Sequence, residues 1–194
     1  MLSKPFDDLE TTGAVDNTLF SVGPESRMLM PTVTTSCPKC RCCGAVVPEE
    51  FDNCNAMFAA LLEREYSDTA FGEAHLFTVD GYALQHSEEH GPRSNAFHLM
   101  RLCWLIEHDG NPSILQARQR GRAFYNAREE SYRDFPFLAP PENRGELTVA
   151  NVVCVKTPNE HAAKARALGE SVWNAWGIHH AWARAQVREW FLKK

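Results

Sequence analysis

Four thiols stand within seven positions of "SCPKCRCCG", at Cys37, Cys40, Cys42 and Cys43, and a fifth follows at Cys54. A Cys-x2-Cys pair on a tight turn lets two thiolates approach one ion without backbone strain, which is the usual first half of a tetrahedral zinc site. Cys37/Cys40 and Cys40/Cys43 both have that spacing. Only the second is followed at once by a glycine, Gly44, which permits the reversed turn of a metal knuckle, so Cys40 and Cys43 are the preferred pair. No second pair follows downstream, since Cys103 and Cys154 sit singly in apolar segments. The remaining ligands must therefore come from Cys54 and a histidine, with Cys37 and Cys42 as alternates. Zinc is the expected ion and iron the alternative. A redox site and plain free thiols are the competing readings of the same cysteines.

Topology narrows the histidine. If the first three helices run up, down and up with short turns, then the start of the first, the end of the second and the start of the third meet at one end. Cys54, His86 and His98 occupy those three places. The expected cluster is Cys40, Cys43 and Cys54 with His86 or His98. Each histidine also has a plainer reading: His86 as a cation favoured by a helix C-terminus, and His98 as a core residue satisfied by a backbone carbonyl. A second constellation comes from the last helix. There Val172, Trp176, Ala183, Val187 and Trp190 form one stripe bordered by His179 and His180. With His75, Asp80 and Tyr82 these imidazoles could build a metal or acid/base site in the interior, because histidine titrates near neutrality. Packing of histidine among aromatics is the alternative. Asp80, on an otherwise apolar helix, is costly to bury unless paired.

The elements that must position these groups are mostly helical. The 194 residues, 44% hydrophobic and 23% charged with a net charge of −5, suit one globular unit with an ordinary core. Residues 1–36 show no sustained period and read as an irregular arm, leaving 37–194 as a single helical metal-binding domain. Helices are predicted from a cap at Asp52 or Asn53 through Met57, Leu61 and Leu62, across "TAFGEAHLFTVDGYALQH", and across "SNAFHLMRLCWLIEH" with Ser94 as cap. A shorter one is predicted around Ile114 to Glu130. The three prolines of "FPFLAPPENRG" then forbid a helix and imply a crossover. "LTVANVVCV" suits a short helix or a strand. The last helix is announced by Thr157, Pro158 and Glu160 and runs to Phe191. Four principal helices with one crossover predict a mainly α fold, a four-helix-type bundle.

Several function classes lose support. A pI near 5.9 without a Lys/Arg run argues against nucleic acid. The arginines between Arg118 and Arg133 read as a solvated face balanced by acids. No apolar run approaches the roughly 18 residues of a membrane span, and the N-terminus lacks the pattern of a signal peptide, so a cytoplasmic protein is expected. In a reducing compartment clustered thiols are better ligands than disulfides. No phosphate loop, dinucleotide-binding glycine pattern, nucleophile elbow or His-Glu-x-x-His motif is present.

The segments "CRCCG", "NCNAMFAALLEREYSDTAFGEAHLFTVDGYALQH", "HLMRLCWLIE", "PFLAPPENRGELTVANV" and "HAAKARALGESVWNAWGIHHAWARAQVREW" together resemble the uncharacterised bacterial family catalogued as domain of unknown function 5946, over about residues 40–191. The resemblance places Cys40, Cys43, Cys54, His75, Asp80, Tyr82, Gln85, His86, His98 and His180 on family motif positions and implies no activity. At fold level it suggests the metal-binding bundles of the DinB kind. Two functions are expected from these residues. One is a metal-dependent enzyme acting on a small molecule, with Cys40, Cys43, Cys54 and His86 or His98 as ligands and Asp80, Tyr82 and His180 as catalytic groups. The other is a non-catalytic module, stabilised by a structural zinc clip, that binds a protein partner.

Overall fold

The computed structural model describes residues 39–108 and 135–192. The expected N-terminal arm, Cys37 and the arginine-bearing stretch around 114–130 lie outside these residues. Seven α-helices are described: α1 (Cys54–Ser67), α2 (Thr69–Gly72), α3 (His75–Gln85), α4 (Pro92–Glu107), α5 (Val149–Val153), α6 (Pro158–Ala175) and α7 (His180–Trp190). Short 3-10 turns at Ser87–Glu89 and Gly177–His179 join α3 to α4 and α6 to α7. Among the described residues there is no strand, only an isolated antiparallel bridge between Lys39 and Val46. The chain is mainly helical, as its periodicity predicts.

Local chemistry accounts for most boundaries. Asn53 caps α1, its Oδ1 accepting the Ala56 N–H at 2.9 Å. α4 starts at Pro92, two residues ahead of the predicted Ser94 cap. A proline at the first position brings a helical φ and lacks only a donor that the first turn leaves unused. The ambiguous "LTVANVVCV" forms a helix because Thr148 and Asn151 make a capping box, with Asn151 Oδ1 accepting the Thr148 N–H at 2.8 Å. Thr157 caps α6 as expected, its Oγ1 accepting the Glu160 N–H at 3.4 Å while its hydroxyl donates to Glu160 Oε2 at 2.8 Å. The last helix, predicted as one run, is instead interrupted. α6 ends at Ala175, the chain makes one tight turn, and α7 begins at His180.

The core is organised around α3, nine of whose eleven residues are buried. This helix packs on α1, α4 and α6, while α4 also receives α7 and α1 receives α5. Two glycines make the α3–α6 approach possible. A Cβ at Gly81 would lie 2.9 Å from Leu168 Cγ, and one at Gly169 would lie 2.7 Å from Phe77 Cδ1. The atom facing Gly81 is a branch carbon that cannot swing aside freely. Although alanine gains about 1 kcal/mol of helix propensity over glycine, overpacking costs about 1–3 kcal/mol. Gly81→Ala should therefore lower the urea midpoint of unfolding, and an unchanged or raised midpoint would show that the two helices separate without cost.

Candidate metal centre

The knuckle is built by backbone hydrogen bonds. Cys40 N–H donates to the Ala45 carbonyl and Gly44 N–H to the Cys40 carbonyl, both at 2.9 Å. Gly44 takes φ of 74°, the left-handed conformation the sequence implied. This turn presents Cys40 and Cys43 toward the start of α1, where Cys54 is the first helical residue, and toward His86 at the end of α3. One ligand atom from each of Cys40, Cys43, Cys54 and His86 lies within 4.8 Å of all the others. Cys43 Sγ and Cys54 Sγ are 3.6 Å apart, and Cys40 Sγ is 3.4 Å from His86 Nε2. Of the two candidate histidines, it is His86 that lies with the three thiols.

The imidazole is held for the task. His86 Nδ1 donates to the Tyr82 carbonyl at 2.9 Å, so Nδ1 carries the proton and Nε2 is the atom offered to the thiols. Tyr82 is sandwiched in turn. Its ring stacks on Phe58 with centroids 3.9 Å apart and on His86 at 4.0 Å. This stack runs from α1 to the end of α3 and fixes the plane of His86.

Electrostatics mark the group as a place that wants positive charge. The hydrogen bond from Cys54 pulls the Cys43 thiol down to about 4 against the opposing effect of burial, with His86 assisting. The same bond, together with burial, pushes Cys54 well up, so the pair carries one negative charge and one shared proton. Burial disfavours charge on His86, yet its hydrogen bonds to Cys43, the Tyr82 carbonyl and Cys40 outweigh it and raise the imidazole to about 9. An ion resolves this competition by replacing those protons, since cysteine ligates as thiolate and histidine as the neutral ring. Three soft sulfurs and one borderline nitrogen are a donor set able to hold a transition-metal ion.

A cavity of about 330 Å³ opens against this group, lined among others by Cys40, Cys42, Cys54, Tyr82, His86 and Glu89. Of the three residues expected to handle protons, only Tyr82 lines it. Burial pushes the Tyr82 hydroxyl well above its ordinary value, with the Glu89 carboxylate and the neighbouring thiols adding to the effect, so it stays a donor.

The other expected site residues stand elsewhere. His98 does not join the cysteine group. Its Nδ1 donates to Asp80 Oδ1 at 2.8 Å, because it lies on the side of α4 that faces the middle of α3 rather than its end. Asp80 is fully buried and is also gripped by Arg101, whose Nε lies 2.8 Å from Oδ2. Burial would raise the Asp80 carboxyl, but the Arg101 guanidinium and His98 hold it below the ordinary carboxylate range. His180 Nε2 donates to the Trp173 carbonyl at 2.8 Å and its ring stacks on Trp173 at 3.6 Å, while His179 Nε2 donates to the Ala139 carbonyl at 2.8 Å. These two histidines brace the turn between α6 and α7, which is the packing alternative.

His75 belongs to a network that sequence reasoning missed. Glu65, only 4% exposed, accepts from His75 Nδ1 at 2.9 Å, His161 Nε2 at 2.8 Å and Thr78 Oγ1 at 2.5 Å. The first two histidines approach opposite oxygens of the carboxylate, so the trio is a hydrogen-bonded knot joining α1, α3 and α6. Burial opposes the Glu65 charge, but these donors outweigh it and lower its pKa. A signal was present: Glu65 continues the Met57–Leu61 stripe, and His161 begins the Ala165–Leu168–Val172 stripe.

Three thiols and an imidazole, gathered from one turn and two helices, define a mainly helical protein with a Cys3His group able to hold a metal ion. The chain belongs to the Family of unknown function (DUF5946), which matches residues 38–177. That match takes in all four ligands and stops at the break before α7. No curated protein and no solved structure matches the chain.

Proposed function

We propose that Cys40, Cys43, Cys54 and His86 bind one Zn2+ in a closed site that fastens the knuckle to α1 and α3 of a cytoplasmic helical module. The observation that carries this reading is the number of convergent donors. Four protein ligand atoms within 4.8 Å of one another could fill a tetrahedral shell without water, which supports the pattern of structural zinc. The module itself is a four-helix-type bundle of the DinB kind, an arrangement supported by α3 packing on α1, α4 and α6. The cytoplasmic placement is supported by the six described cysteines, none of which is in a disulfide. Its partner is a protein rather than a nucleic acid, in keeping with the acidic balance of the chain.

A second reading is favoured by the cavity against the ligands. In it the ion, zinc or iron, opens one coordination position to a small-molecule substrate and supplies Lewis acidity, while the Tyr82 hydroxyl donates a hydrogen bond to the bound group. Asp80, paired with Arg101 and His98, and His180, bonded to the Trp173 carbonyl, are not among the residues that line the cavity. Elemental analysis of tag-free protein should find one metal per chain, and X-ray absorption should find three sulfurs and one nitrogen. An added oxygen shell would favour the enzyme, and a folded protein free of metal would sink both readings.

A further inference from the structure

The turn after the metal centre carries a second pair of imidazoles. His90 follows the Ser87–Glu89 turn and His98 lies in the second turn of α4. Their ring centres are 5.6 Å apart and their planes tilted by 52°. Two imidazoles on one ion, with metal–nitrogen distances of about 2.0–2.1 Å, place their ring centres roughly 5–6 Å apart. The separation of the two ring centres is thus compatible with sharing an ion.

The hydrogen bonding points the same way. His98 Nδ1 is committed to Asp80, so the lone pair on its Nε2 is the one available. A carboxylate behind an imidazole is the usual outer partner of a metal-binding histidine, fixing the tautomer and raising the basicity of the other nitrogen. Arg101 completes the pattern by anchoring Asp80. Neither His98 Nε2 nor the ring nitrogens of His90 make a hydrogen bond among the described residues, and the His98 side chain remains 13% exposed. Ser87 Oγ in that turn and Asn95 Oδ1 in the first turn of α4 are buried without a protein partner among the described residues, and ion-bound water would supply one.

We propose that His90 and His98 form a second metal site, an open one, in which two imidazoles hold a borderline divalent ion such as Zn2+ and water fills the remaining positions. It is distinct from the Cys3His group and does not depend on the role assigned to that group. Its chemistry is that of an ion with exchangeable waters, able to accept an anionic or carbonyl oxygen.

Calorimetric titration of Zn2+ into the full chain tests it. Two equivalents should bind, the second more weakly. His90→Gln, on a half-exposed turn, should weaken the second equivalent by tenfold or more and leave the first and the melting temperature unchanged. His98→Gln should do the same to the second equivalent. The site is overturned if one equivalent binds, or if the second survives undiminished in both variants. Loss of the first equivalent alone would count against the Cys3His reading and leave this one standing.

Discussion

Removing the ion from the Cys3His group should lower the melting temperature of the protein by about 8–16 °C. An ion present at about a thousand times its dissociation constant stabilises the folded state by about 4 kcal/mol, and each kcal/mol is worth about 2–4 °C in a chain of this size. The double variant Cys40→Ser, Cys43→Ser should match the effect of a chelator. It removes both knuckle ligands while Cys54 and His86 stay on their helices. Cys42→Ser is the control, because Cys42 lines the cavity but is not one of the four converging donors. Differential scanning calorimetry with and without added zinc decides the matter. Equal melting temperatures for the wild type and the double variant would mean that the knuckle contributes nothing to the fold.

The second large effect is expected at Asp80. Its carboxylate is fully buried between Arg101 and His98, so Asp80→Ala removes the buried half of that ion pair and the acceptor of the His98 bond. Breaking a buried pair from one side costs about 3–5 kcal/mol. Asp80→Asn should cost less, since the amide keeps the volume and one acceptor. Urea unfolding at pH 7 gives the magnitude and its pH dependence gives the cause. The folded-state values of Asp80 and Glu65 lie below the ordinary carboxylate range. Their contribution is therefore complete above about pH 4 and disappears as the pH falls through the depressed values. The gap between wild type and Asp80→Ala should be constant from pH 7 down to about 4 and shrink below it. A gap that persists undiminished at pH 2 would mean that lost packing rather than lost charge destabilises the variant.

These residues show what a single chain discloses about its own fold. Cys40, Cys43 and Cys54 were readable because spacing chose the knuckle and the up-down-up order of helices chose the end of the bundle where the rest gather. The choice between His86 and His98 was not readable. Both stand near that end, and the difference is which face of α4 turns toward the middle of α3, a matter of helix rotation. Asp80 was correctly marked as needing a partner, but Arg101 is 21 residues away and only packing brings it near. The break at Gly177 escaped notice because the inserted turn preserves the stripe. Val172, Trp176, Ala183 and Val187 are all buried on either side of it, as in an unbroken helix. Glu65 and His161 were hidden because they stand on separate apolar stripes 96 residues apart, and only packing brings them together.

The bond between Cys40 and His86 that an ion would make spans 46 residues of chain. In polymer terms the ion is a removable cross-link closing a long loop, and its effect falls on the unfolded ensemble as much as on the native one. A metal-free unfolded chain must search for that closure at full entropic cost, whereas one that keeps zinc on the knuckle and Cys54 has only the His86 end left to find. The helices and the ion are then alternative starting points for the same topology. Which of them forms first would depend on how much free zinc the chain meets while it folds.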